Sequence, residues 1–244
     1  MRTPEGWRWI GESRHGKLEP PVFEDLLPAD ILTAWGDPSE PATEVLPEED
    51  QCVARAVAKR RNEFRKTREY ARRLLREFGV HDFALLPGLK REPVWPEGIV
   101  GSVTHTDGFC AVAIGPAARY AGIGIDAEPN LPIQPDVARH VCLPEEYEQH
   151  GWISPLLAAR LIFSAKESIY KSQFYLTRQY LGFFDVKVQI HENGSFVGRL
   201  LVDAGPLRRG AELKGAFRVR DGLLVTSACL RQGAESSVAP ATLD

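Results

Sequence analysis

The apolar residues Val53, Val57, Phe64, Leu74, Leu75 and Phe78 recur near helical spacing, and Gly79 follows them as a C-cap candidate. This pattern predicts a long helix over about 53–78. Pro47-Glu48-Glu49-Asp50 would then set acids at its start, where the helix macrodipole favours them. The pattern next shortens into strand-like runs at 82–86, 99–105, 109–115 and 121–128, with Thr106-Asp107-Gly108 as a hairpin turn. After a Pro-rich connection, residues 144–150 read as a short helix and 154–176 as a long one. Strands are expected again at 184–191, 195–202, 215–220 and 223–230, with Asn193-Gly194 and Asp221-Gly222 as turns. A long helix followed by antiparallel strands is thus written twice, without any residue-level repeat. Residues 1–36, with scattered aromatics and prolines, are expected to wrap the domain, and the small, polar 233–244 to form a disordered tail.

Charge changes this picture locally rather than globally. The net charge of the 244 residues is −3, which gives no general pull toward nucleic acid. From Arg55 to Arg76, however, ten Lys/Arg stand against two Glu, directly after an acidic stretch, Asp37 to Asp50, with six acids and no base. Such a basic face is either solvated or a local phosphate site. Lys90-Arg91-Glu92-Pro93-Val94-Trp95-Pro96 adds cations on a rigid loop. The four cysteines are scattered, which argues against a zinc site or a disulfide framework and for a reducing cytosol. No apolar run approaches the ~20 residues of a membrane helix, and the N-terminus lacks a signal-peptide core, so a soluble cytoplasmic protein is expected.

The chemistry concentrates in two segments. Gly124-Ile125-Asp126-Ala127-Glu128 closes an apolar strand, and a period of two puts Asp126 and Glu128 on one side of its end. Phe163-Ser164-Ala165-Lys166-Glu167-Ser168-Ile169-Tyr170-Lys171 is helical, with Glu167 and Lys171 on one face. Three carboxylates and two lysines suit a hard metal ion held on a diphosphate. Each motif alone also has a plain reading: a strand cap for the acids, a surface ion pair for Glu167 and Lys171, a structural role for His105 at its strand end.

Together and in order, these segments resemble a 4′-phosphopantetheinyl transferase of the surfactin/enterobactin type, closest to actinobacterial versions. The matching stretches are Lys59-Arg60-Arg61-Asn62-Glu63-Phe64 with Arg68 and Arg72, Lys90 to Pro96, Gly101-Ser102-Val103-Thr104-His105, Gly124 to Glu128, Phe163 to Lys171, and Leu181-Gly182-Phe183. The resemblance implies an α+β fold of two pseudo-symmetric halves, each a long helix packed on a small antiparallel sheet, with the active site in the cleft between them. The halves would be residues 1–130 and 131–232. It implies transfer of 4′-phosphopantetheine from coenzyme A to a serine of acyl or peptidyl carrier proteins, with release of adenosine 3′,5′-bisphosphate. Carriers of fatty-acid, polyketide, peptide or siderophore synthases are all candidates. Asp126, Glu128 and Glu167 match ligands of Mg²⁺ (Mn²⁺ is the alternative). Lys166 and Lys171 match lysines at the diphosphate, and His105 with Thr104 a phosphate contact. Arg60, Arg68 and Lys90 match cations on the 3′-phosphate and diphosphate, Arg61 being the neighbouring alternative to Arg60. Glu167 and Lys171 are the expected catalytic pair. A monomer acting without nucleic acid or membrane is expected. The competing readings are a metal-dependent hydrolase of coenzyme A or nucleotide diphosphates, a non-catalytic coenzyme-A-binding module, and a nucleic-acid binder using the basic helix.

Overall fold

The computed structural model describes residues 9–11, 22–148 and 150–233. It is an α+β fold with two sheets, each backed by a long helix. The first sheet runs in the order β1 (Trp9–Gly11), β2 (Leu32–Gly36), β4 (Phe109–Pro116), β3 (Ile99–Thr106). The second runs β5 (Tyr120–Pro129), β9 (Leu223–Arg231), β8 (Glu212–Arg220), β7 (Ser195–Leu200), β6 (Val186–Ile190). All pairings are antiparallel except β1 with β2. β4 is apolar from Phe109 to Ile114 and buried along that length, as a central strand covered on both faces must be. The expected tail, apart from Gly233, and most of residues 1–21 lie outside the described residues. Among the described residues no helix is long and apolar enough to cross a membrane.

Four local expectations are corrected. The helix expected over 53–78 starts only at Ala58, as α2 (Ala58–Glu77), and a separate short α1 (Pro47–Gln51) precedes it. The acids therefore cap no basic helix. They fold back beside α2: Glu49 pairs with Arg72, Asp50 with Arg65 at 2.6 Å, and Glu44 with Arg72 and Arg76. Arg65, Arg72 and Arg76 of the basic face are thus paired internally by the acidic stretch before it. Gly79 does end α2: at φ 76°, it donates to Arg76 O while Val80 donates to Leu75 O, a Schellman closure.

Residues 82–86 form no strand. The Leu85 backbone is satisfied by side chains instead, its N–H donating to Glu49 Oε1 and its O accepting from Arg68 Nε. Two elements went unexpected. β2 lies in the stretch expected only to wrap, and α3 (Pro135–Val141) fills the Pro-rich connection, its proline at the helix start where no amide donor is needed. The short α4 (Pro144–Tyr147) and the long α5 (Pro155–Thr177) fall where expected.

The strand carrying Asp126 and Glu128 was placed with the first half, yet β5 hydrogen-bonds to β9 in the second sheet. Its other edge meets β3 through side chains: Ser102 Oγ accepts from Ile125 N and Thr104 Oγ1 from Ala127 N, both at 3.1 Å. Two hydroxyls thus replace a backbone ladder and join the sheets.

Candidate active site

Alternation along β5 decides the geometry. Ile123, Ile125 and Ala127 are buried in the core of the first half, so Gly122, Gly124, Asp126 and Glu128 face the other way, toward α5. A Cβ at Gly122 would lie 1.8 Å from Ser172 O, and one at Gly124 1.8 Å from Ser168 O. Helix and strand are therefore in backbone contact. The helix side of this contact is the i,i+4 stripe Arg160, Ser164, Ser168, Ser172, whose three serines are fully buried. Each step matches a step on the strand: Ser164 Oγ donates to Asp126 at 2.8 Å, and Arg160 to Glu128 at 2.6 Å. The small-residue stripe was the missed signal that docks α5. Gly124→Ala is expected to cost about 1–3 kcal/mol of stability, because the helix must lift off the strand. Chemical denaturation checks it, and a neutral result would remove this contact as the determinant of position.

Glu167 and Lys171 lie one position back from the stripe, beside the acids. Lys171 Nζ donates to Asp126 at 2.7 Å and to Ile125 O at 3.0 Å. Thr104 is buried and donates to Asp126 at 3.1 Å, so it orients the carboxylate rather than facing solvent. A cavity of about 500 Å³ opens between α2, the 87–93 loop, β3 and α5. Arg60, Arg68, Lys90, His105 and Lys171 all line it, along with the apolar walls Phe64, Phe174 and Tyr175. Arg61 turns to Ala56 O instead. Arg68 is 5% exposed and stacked 3.6 Å from the Phe64 ring centre, and burial lowers its pKa to about 10. The loop bearing Lys90 is tied to α5 by Tyr175 Oη donating to Pro93 O at 2.7 Å, a contact the sequence did not announce.

Lys166 departs from expectation. It does not line that cavity: it is 4% exposed and donates to Val141 O, Glu146 Oε2 and Phe183 O at 3.0, 2.7 and 2.7 Å. All three ammonium protons are used, so none is left for a diphosphate in this arrangement.

The acids meet less tightly than expected. Among the described residues no group of three or more His, Cys, Asp or Glu side chains is arranged to hold a metal ion. Asp126 is engaged by Lys171 and Glu128 by Arg160. Glu167 has no hydrogen bond or ion pair among the described residues. Burial raises its pKa, and the charges of Asp126 and Glu128 push it further up, with Lys171 opposing. Burial first, then Asp126, likewise raises Glu128. Three carboxylates with two cationic partners leave a net negative charge on an oxygen-only donor set, which is what a hard divalent cation would compensate, so the residues fit one. A second cavity of about 50 Å³ is lined by Lys166 and Glu167 together with Tyr170, Tyr180, Leu181 and Phe183.

A cavity lined by Arg60, Arg68, Lys90, His105 and Lys171, with Lys171 paired to Asp126 behind it, suits a phosphate-bearing ligand. The chain belongs to the 4′-phosphopantetheinyl transferase superfamily. The family model described as the 4′-phosphopantetheinyl transferase N-terminal domain matches residues 48–115, and that of the superfamily matches 122–219. The chain is 41% identical over 216 residues to 4′-phosphopantetheinyl transferase Svp of Streptomyces mobaraensis, covering 83% of this chain and 86% of that one. It is 38% identical over 218 residues to 4′-phosphopantetheinyl transferase PptT of Mycobacterium tuberculosis, covering 86% and 94%. Enterobactin synthase component D of Salmonella typhimurium is 35% identical over 133 residues, about half of either chain (52% and 53%).

Proposed function

We propose that the chain moves 4′-phosphopantetheine from coenzyme A to a serine hydroxyl of acyl or peptidyl carrier domains and releases adenosine 3′,5′-bisphosphate. The observation that carries this is the single cavity gathering Arg60, Arg68, Lys90 and Lys171 with His105, four cations and one titratable ring for a ligand with a phosphomonoester and a diphosphate. Asp126, Glu128 and Glu167 are the residues that would hold Mg²⁺ or Mn²⁺, which would act as a Lewis acid on the diphosphate. The serine oxygen forms a bond to the pantetheine-side phosphorus, and the bond from that phosphorus to the bridging oxygen breaks. Lys171, already reaching across from α5 to the end of β5, neutralises charge growing on the diphosphate oxygens. Glu167, which has no hydrogen bond or ion pair among the described residues, is the group placed to take the serine proton.

The test is incubation with coenzyme A, Mg²⁺ and a panel of apo carrier domains, including enterobactin-synthase carriers, read by mass spectrometry. A gain of one phosphopantetheine group supports the reading. Coenzyme A consumed equally without carrier would favour a hydrolase. A further expectation concerns the 3′-phosphate. Wild type should bind coenzyme A more tightly than dephospho-coenzyme A by about 1.5–3 kcal/mol, the worth of a charge-assisted contact. Arg60→Ala should narrow that gap without loss of fold, since Arg60 is half exposed. Calorimetry showing equal wild-type affinity for both ligands would return Arg60 to a solvated face.

A further inference from the structure

His105 sits between two groups on α2. The Arg60 guanidinium lies against Nε2, and Glu63 Oε2 is 3.4 Å from Nδ1. A guanidinium can only donate, so Nε2 must accept. The ring is then neutral, with its proton on Nδ1, directed at Glu63. Glu63 itself is 5% exposed and also lies 3.6 Å from Arg60. The ring therefore faces the cavity with an acceptor, the wrong group for a phosphate oxygen.

We propose that Glu63 is a positioning residue that makes His105 a proton-coupled phosphate contact: it holds the Nδ1 proton, so that when a phosphate draws Arg60 away, Nε2 takes a proton from solvent and donates to the phosphate. The balance is one neutral ring plus one proton giving one imidazolium, with Glu63 as its fixed counter-ion. This rests on the coenzyme A reading above.

The other charged groups facing the ring agree with the sign. Removal of water from around the ring lowers the His105 pKa in the free protein, Glu63 raises it, Arg60 and then Lys171 lower it, and Asp126 raises it. On the turn after β3, Asp107 is already paired with Lys59 at 2.8 Å and so adds little net charge. With the free pKa below the ordinary histidine value, the ring is neutral at neutral pH, and an arriving phosphate dianion raises it. Coenzyme A affinity should then fall as pH rises through the higher pKa of the complex.

Two measurements test this. Nitrogen-15 chemical shifts of His105 in the ligand-free protein read the tautomer and need no coenzyme A. Protonated Nδ1 with bare Nε2 is expected, and the reverse tautomer overturns the proposal. Calorimetry of coenzyme A binding at neutral pH, in buffers of different ionisation enthalpy, counts protons taken up. Wild type should take up more than Glu63→Gln, and the variant should bind about tenfold more weakly, as for the loss of a charge-assisted contact. The comparison cancels the titration of the ligand's own phosphate. Equal proton uptake in both proteins overturns this proposal alone. No binding heat with wild type overturns the coenzyme A reading as well. Should Glu63→Gln not fold, the pH dependence of wild-type affinity, together with the tautomer, still decides: affinity flat through the histidine range overturns it.

Discussion

Glu167→Gln is expected to remove nearly all transfer, about 100- to 1,000-fold in kcat, while leaving the metal-free protein at least as stable as wild type above about pH 7. The two effects have one cause. Glu167 is half buried, has no hydrogen-bond or ion-pair partner among the described residues, and lies near Asp126 and Glu128, so its folded-state pKa is raised. A raised carboxylate pKa means that the folded state binds more protons than the unfolded one. Stability then falls as pH rises from the unfolded value through the folded one, and a neutral glutamine escapes that loss. A thermal melt across pH with the metal chelated, beside a single-turnover assay, checks both halves. A folded variant with wild-type turnover would remove Glu167 from the chemistry; a lower melting temperature at neutral pH would show that its charge has a partner after all. Asp126→Asn should lose comparable activity but cost stability too, because Asp126 accepts from Thr104, Ser164 and Lys171. An asparagine amide would set a donor against at least one of them.

How much of this was legible depended on whether a residue's partner was close in sequence. The hairpins were legible because a turn is a local demand: Gly108, Gly194 and Gly222 all have positive φ, and so does Asp221. The alternation of Asp126 and Glu128 around buried Ala127 was legible for the same reason. The break between α1 and α2 was not, because it depends on Glu49 reaching Arg72 and the Leu85 amide, 23 and 36 residues away. Nor was the partner of β5, which is β9, about a hundred residues further on. The paired signal of Gly122 and Gly124 with Ser164, Ser168 and Ser172 was present in the sequence, since small residues on both elements are what backbone contact requires. Reading it needed the two elements to be considered as one surface. The cationic site was legible as a set of residue types, but not that one of them, Lys166, is engaged inside the fold by Val141, Glu146 and Phe183.

That member, Lys166, carries the remaining large effect. Lys166→Met should cost about 3–5 kcal/mol of stability, the penalty for leaving a buried ionic partner uncompensated. Glu146 is fully buried and accepts from the Leu143 and Val188 amides as well as from Lys166, so the pair draws α4, β6 and the segment before β6 onto α5. Without the ammonium, the Glu146 carboxylate keeps two amide donors but loses its counter-ion, and Val141 O and Phe183 O lose their donor. Glu146→Gln should cost less, because a glutamine oxygen can still accept from an amide and Lys166 retains two carbonyls. Double replacement, Lys166→Met with Glu146→Leu, should recover part of the loss, since an apolar pair leaves no charge behind. Coenzyme A affinity, measured per folded molecule, should stay within about twofold of wild type in all three, against the tenfold or more expected for losing a charge-assisted phosphate contact. A Lys166→Met protein as stable as wild type but weak for coenzyme A would mean that Lys166 leaves Glu146 when the ligand enters, and would restore it to the diphosphate.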